Sequence, residues 1–225
     1  FTFETWIYVT NSAIPTGATV WDHRNGTNGT GVIQPYVGLD SSIGYSFYTR
    51  ATTRFSSGTA AVKTRQWQHL AICRSSGTTR GFLDGVQIGS NYTDSDNYPA
   101  GSIRIGQAND GASNRYFPGY FYNMRLVVGT ALYTAAFTPS TTPLTQASSA
   151  NTKFLLSAYP GLPDLTGRTN LNTVGTAEKR NTQFKYGTGS LFFDGTGDYL
   201  TAVNNVGDSF NFNTSDFTIE GWLYT

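Results

Sequence analysis

Gln66-Trp67-Gln68-His69-Leu70-Ala71-Ile72-Cys73-Arg74 runs as one extended stretch and breaks at Ser75-Ser76-Gly77-Thr78. Thr79 to Leu83 returns, Asp84-Gly85 turns the chain again, and Val86 to Gly89 leads away. Asp-Gly between two apolar-rich runs is the commonest two-residue hairpin signal, because both of its residues tolerate positive φ. This stretch therefore predicts a three-stranded meander. The same reading extends outward in both directions. Val32 to Leu39 and Ile43 to Tyr48 form a pair around Asp40-Ser41-Ser42. Ser102 to Gly106 is a short strand and Tyr120 to Val128 a longer one. Gly189 to Gly195 and Tyr199 to Val203 complete the set. No segment carries a convincing 3.6-residue apolar period, so short strands with closely spaced turns predict an all-β sandwich or barrel.

Composition agrees. The chain has 225 residues, with 15 basic and 14 acidic side chains. That balance excludes the clustered positive charge of a nucleic-acid or polybasic membrane partner. One cysteine, Cys73, excludes an intrachain disulfide, and its apolar surroundings predict a small core residue rather than a reactive thiol. No stretch is long and apolar enough to be read as a membrane span, and none reads as a signal peptide.

The chain also repeats itself. FTFETWIYV at Phe1 to Val9 returns as FTIEGWLYT at Phe217 to Thr225, an offset of 216 with five of nine positions identical. Self-similarity at long period is the signature of an array of repeated units. The expected organisation is a cut through such an array. Residues 1–147 would form the C-terminal two-thirds of one unit, with 138–152 as an extended Pro/Thr/Ser-rich connector. Residues 148–225 would form the N-terminal third of the next unit, or the permuted complement of the same sandwich. A closed domain has one seat for the repeated strand, so one of its two copies should be displaced or paired with a neighbour.

Several blocks together resemble laminin-G-like domains of the concanavalin A-like lectin and glucanase superfamily. Ser190 to Leu200 (SLFFDGTGDYL) and Asp216 to Trp222 (DFTIEGW) resemble the opening blocks of such domains. Gln66 to Ala71 (QWQHLA) and Phe82 to Gly85 (FLDG) resemble their central strand and hairpin. Phe117 to Leu126, Gly129 to Thr134 and Phe137 to Pro139 resemble the closing block, common in bacteriophage virion proteins and large bacterial surface proteins. The resemblance implies an antiparallel jelly-roll sandwich of two sheets, its blocks in permuted order.

Chemistry is sparse. Asp84-Gly85 and Asp194-Gly195 read as turns. Trp67 and His69 share a strand face and read as structural. Glu4 and Glu220 lie on strands apolar on both faces, where an unpaired carboxylate would be costly; Arg125 is the expected ion-pair partner of Glu4. With three glutamates and no acid pair spaced along a strand, a glycosidase mechanism is not expected. Two histidines without a cysteine pair give no zinc spacing. Binding is expected at two polar rim loops, through Trp21, Asp22 and Asn25 in one and Asn109, Asn114 and Arg115 in the other. No cofactor is required. Related domains bind calcium or glycans through such loops, and Asn109 and Asp110 offer the hard oxygen ligands calcium prefers.

The expected function is a non-enzymatic, surface-displayed adhesion or structural module in a bacteriophage fibre or decoration protein, extracellular or on the virion surface. Its expected partners are neighbouring copies and cell-surface glycan, without nucleic acid or membrane insertion. A bacterial adhesin repeat is the first alternative and a secreted polysaccharide hydrolase the disfavoured second.

Overall fold

The computed structural model describes residues 1–225 except 28, 111–114, 147–149, 157–168, 187–188, 205–209, 211 and 225. Its strands, in chain order, are β1 (Thr2–Val9), β2 (Ala18–Asp22), β3 (Tyr36–Asp40), β4 (Gly44–Thr49), β5 (Thr52–Ser56) and β6 (Trp67–Ser75). There follow β7 (Thr78–Leu83), β8 (Val86–Thr93), β9 (Ile103–Ile105), β10 (Pro118–Val128) and β11 (Thr152–Leu156). The last are β12 (Thr169–Val174), β13 (Glu178–Arg180), β14 (Ser190–Asp194), β15 (Tyr199–Asn204) and β16 (Phe217–Tyr224). They form two packed sheets, the antiparallel jelly-roll sandwich that the sequence implied. One sheet runs β13-β14-β10-β1-β16-β6-β7-β8, with β11 on the far half of β10; the other runs β12-β15-β9-β2-β3-β4-β5.

The meander is β6-β7-β8, and its Asp84-Gly85 corner has φ of 51° and 80°, the signs a type I′ turn demands. A Cβ on Gly85 would also strike the Phe137 carbonyl oxygen. Asp194-Gly195 is a different object. It opens a longer corner that carries the chain from β14 in one sheet to β15 in the other. Buried Asp198 fastens that corner, accepting from the Asp194 N–H at 3.0 Å and the Thr176 N–H at 2.5 Å.

Alternation assigns the faces. Phe3, Ile7 and Val9 of β1 and Leu70 and Ile72 of β6 point inward. They meet Val37, Leu39, Tyr45, Phe47, Leu200 and Ala202 of the opposite sheet. β10 cannot alternate strictly, because Phe121 and Leu126 both face the core and lie five positions apart. A bulge at Asn123 (φ 58°) supplies the missing change of phase. It turns Met124 into the core and Arg125 out of it.

The segment read as an extended connector, 138–152, makes contacts with β10 in its described part. The Leu144 N–H donates to Asn123 Oδ1 at 2.9 Å, and Arg125 Nη1 donates to the Thr145 carbonyl at 2.7 Å. Tyr133 and Phe137 lie over Ala71, Cys73 and Phe82. Residues 130–146 thus form a strap across the outer face of the larger sheet, because that face is apolar too and must be covered. β14 pairs with β10 through Gly119 and Phe193, and β15 pairs with β9. Short strands β2, β5, β11, β12 and β13 had no clear pattern in the sequence.

β1 and β16 are placed against the same partners in the same register. Tyr120, Phe121 and Tyr122 of β10 pair with Tyr8, Ile7 and Trp6, and equally with Tyr224, Leu223 and Trp222. Strands lie about 4.8 Å apart across a ladder, so one position between β10 and β6 admits one occupant at a time.

Candidate functional site

A concave feature with side chains to match lies on the outer face of the seven-stranded sheet. In β3, Val37 and Leu39 turn to the core, so Tyr36, Gly38 and Asp40 turn outward. In β4 the same alternation sends Tyr48 outward, directly across from Tyr36. The two rings stack with centroids 4.4 Å apart and planes 2° from parallel. Gly38, two positions along β3 from Tyr36 and beside both rings, leaves a floor without a side chain. Thr16, Gly17 and Arg115 form the opposite wall of a groove of about 240 Å³, with Leu39 and Asp40 completing its lining.

Behind this groove runs a chain of alternating charges. Asp22, fully buried, accepts from Arg24 Nε at 3.0 Å, Arg24 Nη2 at 2.5 Å and the Asn109 N–H at 2.7 Å. Arg24 Nη1 reaches Asp110 at 3.1 Å, and Asp110 in turn holds Arg115 Nη1 at 3.1 Å. The Arg24 guanidinium lies 3.7 Å over the Tyr36 ring, fixing that ring from its second face. Burial pushes the Tyr36 hydroxyl up to about 12, so it stays a neutral donor and acceptor. Burial also works against ionisation of Asp40, but hydrogen bonds from Ser42 and Gly17 outweigh it and hold that carboxyl below the usual range. Arg115 is the one member of the network that emerges, with 37% of its side chain exposed.

These contacts redraw the expected site. Arg115 lines the groove. Trp21 does not reach a surface: β2 has a register shift between Thr19 and Trp21, so Val20 and Trp21 both face the core, where Trp21 stacks on Phe3 at 5.2 Å. Asp22 is consumed by Arg24. Asn109 is buried and donates its amide to the Arg24 carbonyl. Asn25 is exposed but does not line the groove, and Asn114 lies outside the described residues. Calcium at Asp110 and Asn109 does not fit. Two guanidinium groups already face the Asp110 carboxylate, and a cation placed there would meet their charge. Sequence reading passed over Tyr36, Tyr48, Asp40 and Thr16. The available signal was Tyr-x-Gly-x-Asp at 36–40, alternating against the apolar Val37 and Leu39.

A second polar cluster is buried beneath the strap. Glu4 receives Arg125 Nε at 2.6 Å and lies 3.3 Å from His69 Nε2, with the Tyr133 hydroxyl donating at 3.2 Å. Glu220 meets the same guanidinium. Burial pushes the Glu4 carboxyl up against the pull of Arg125, and it pushes His69 well down, so the imidazole is neutral. Glu4, His69 and Glu220 are grouped closely enough for a metal ion, but the two glutamates belong to the two claimants of one seat. A filled seat therefore offers one carboxylate and one imidazole beside a guanidinium, an ion-pair cluster rather than a metal centre. Trp67, at the edge of β6, packs on Tyr8 and Tyr122 rather than on His69.

With this geometry in place, comparison with known proteins gives one match. The family model of the concanavalin A-like lectin/glucanases superfamily covers residues 1–136. No curated protein and no solved structure matches the chain.

Proposed function

The chain belongs to the concanavalin A-like lectin/glucanase superfamily, a membership compatible with carbohydrate binding, and we propose that it is a non-enzymatic glycan-binding module whose sugar site is the groove between Tyr48 and Arg115. The observation that carries this reading is the Tyr36–Tyr48 stack facing an arginine across a floor of glycine. A pyranose has apolar C–H faces and a rim of hydroxyls. A clamped aromatic wall suits the first, while Arg115, Asp40 and Thr16 suit the second. About 240 Å³ lies below the usual range for extended small-molecule ligands and suits one or two sugar units rather than a long chain.

The chemistry favours binding over hydrolysis. Glycoside cleavage uses two carboxyl groups roughly 5–10 Å apart across the bond, and Asp40 is the one carboxylate among the residues lining the groove. We place the module on an exposed surface, in a bacteriophage fibre or decoration protein, because its closing block at 117–139 resembles those of virion proteins. Weak single sites gain from display in many copies.

A glycan array probed with the intact chain tests the reading. Retained glycans should lose at least about tenfold in affinity, roughly 1.4 kcal/mol, on Tyr48→Ala and on Arg115→Ala. No retained glycan, or binding untouched by both substitutions, removes the groove from consideration. Release of reducing sugar from a retained glycan would refute the non-enzymatic assignment.

A further inference from the structure

Resting on the reading of the groove as a sugar site, we infer that its ligand is an uncharged sugar, and that Asp40 and Arg115 act together as a charge filter that turns away both acidic and amino sugars. Among the residues lining the groove these two are the charged ones, and they carry opposite signs. Behind them Asp22, Arg24 and Asp110 are engaged with one another, and Asp110 also holds Arg115. The groove therefore meets a ligand with a dipole rather than with a net charge. A carboxylate on the ligand would be drawn to Arg115 and repelled by Asp40, and an ammonium would meet the reverse. Attraction and repulsion offset one another in both cases, so the lost hydration of the ligand's charge goes uncompensated.

The surroundings of each group support this. Burial works against the charge of Asp40, but bonds from the Ser42 hydroxyl at 2.6 Å, the Ser42 N–H at 2.8 Å and Gly17, with the field of Arg115, outweigh it. Asp40 is thus a fixed anion in the groove. Arg115 is poorly placed to grip a carboxylate with two prongs. Its Nη1 reaches Asp110 at 3.1 Å, and its Nε lies 3.8 Å from where a Gly17 side chain would begin. Each two-nitrogen edge of the guanidinium has one nitrogen taken or covered, and the fork that selects carboxylates is not free. A hydroxyl asks less. It accepts from one N–H and donates to one carboxylate oxygen, so the rim of a neutral sugar can use both charged groups at once. The faces of Tyr36 are occupied by Arg24 and Tyr48. Partly exposed Tyr48 is left to carry the sugar's apolar face.

Matched sugars on one array, probed with the intact chain at low ionic strength where charge effects are least screened, test the filter. The sets are glucose with glucuronic acid, galactose with galacturonic acid, and N-acetylglucosamine with glucosamine, each displayed on the same linker. In every retained set the neutral member should bind at least about tenfold tighter than its charged partner. Asp40→Asn should move the acid-to-neutral ratio toward the acid by about threefold or more, and Arg115→Gln should move the amine-to-neutral ratio toward the amine. Each ratio is taken within one variant, so a general loss of affinity cancels. An acidic or amino sugar that binds as tightly as its neutral partner, and is lost on Tyr48→Ala, overturns the filter while leaving the groove as the sugar site. A ratio that its substitution leaves unmoved also overturns the paired role. Retention of no sugar, or retention indifferent to Tyr48→Ala, removes the groove reading and the filter with it.

Discussion

At the scale of single residues, the molecule spends its charges on structure before function. Asp22 and Arg24 are two residues apart and wholly buried, and each satisfies the other. Removing one partner of such a pair leaves an uncompensated buried charge, which costs about 3–5 kcal/mol. Asp22→Ala should therefore lower the unfolding free energy measured in urea melts by an amount in that range. It should also weaken glycan binding, because Asp110 would then be drawn toward Arg24 and away from Arg115. A stable Asp22→Ala chain with unchanged midpoint would show that the network is not held as described. Trp21 and Asp22 illustrate how far residue chemistry alone can be read. Aromatic and acidic types in a polar stretch suggested a ligand contact, but type does not give direction. One extra residue in β2 turned the indole inward.

Among the elements, β10 shows what a bulge accomplishes. Asn123 holds a left-handed φ of 58° and its amide oxygen receives the strap at Leu144. Asparagine tolerates this conformation because its short side chain can bond locally, whereas a β-branched residue is strained there. Asn123→Val should cost about 2 kcal/mol or more from backbone strain and the lost hydrogen bond. Asn123→Gly keeps the backbone and gives up only the bond, so it should cost about 1 kcal/mol less than Asn123→Val. Paired urea melts decide the matter, and equal losses in the two variants would mean that φ is not the constraint. The long strands were legible in the sequence because their apolar residues recur against turns of known chemistry. The bulge was not, since Tyr122-Asn123-Met124-Arg125 gives no local sign of a phase change. The strap was read as a connector for a related reason. Pro139 and Pro143 mark a chain that forms no ladder, and they are silent about what lies beneath it.

Across the whole molecule, two histidines tie stability to pH. His23 is fully buried between Trp21 and Phe212, and burial lowers its pKa to about 3. An unfolded histidine titrates near 6.5. Between those values the unfolded chain binds a proton that the folded chain refuses, so stability is complete above about pH 6.5 and declines as the pH falls. For this group alone the loss at pH 5 is about 2 kcal/mol. The difference in urea midpoint between pH 7 and pH 5 should shrink in His23→Leu relative to wild type, and an unchanged difference would contradict the burial. His69 is shifted in the same direction, so part of the dependence survives that substitution. The sequence by itself determined the class of fold, the hairpin corner at Asp84-Gly85 and the duplication of one strand. All three are local or self-referential: alternation, turn preference and identity between two segments need no third partner to be read. Tertiary structure alone decided that Tyr36 and Tyr48 stack beside a glycine floor, and that Arg115 reaches their groove while Asp22 does not. Those facts depend on register and on which face a side chain takes. In a sheet a shift of one residue reverses the face, and that is fixed only when the strands are packed.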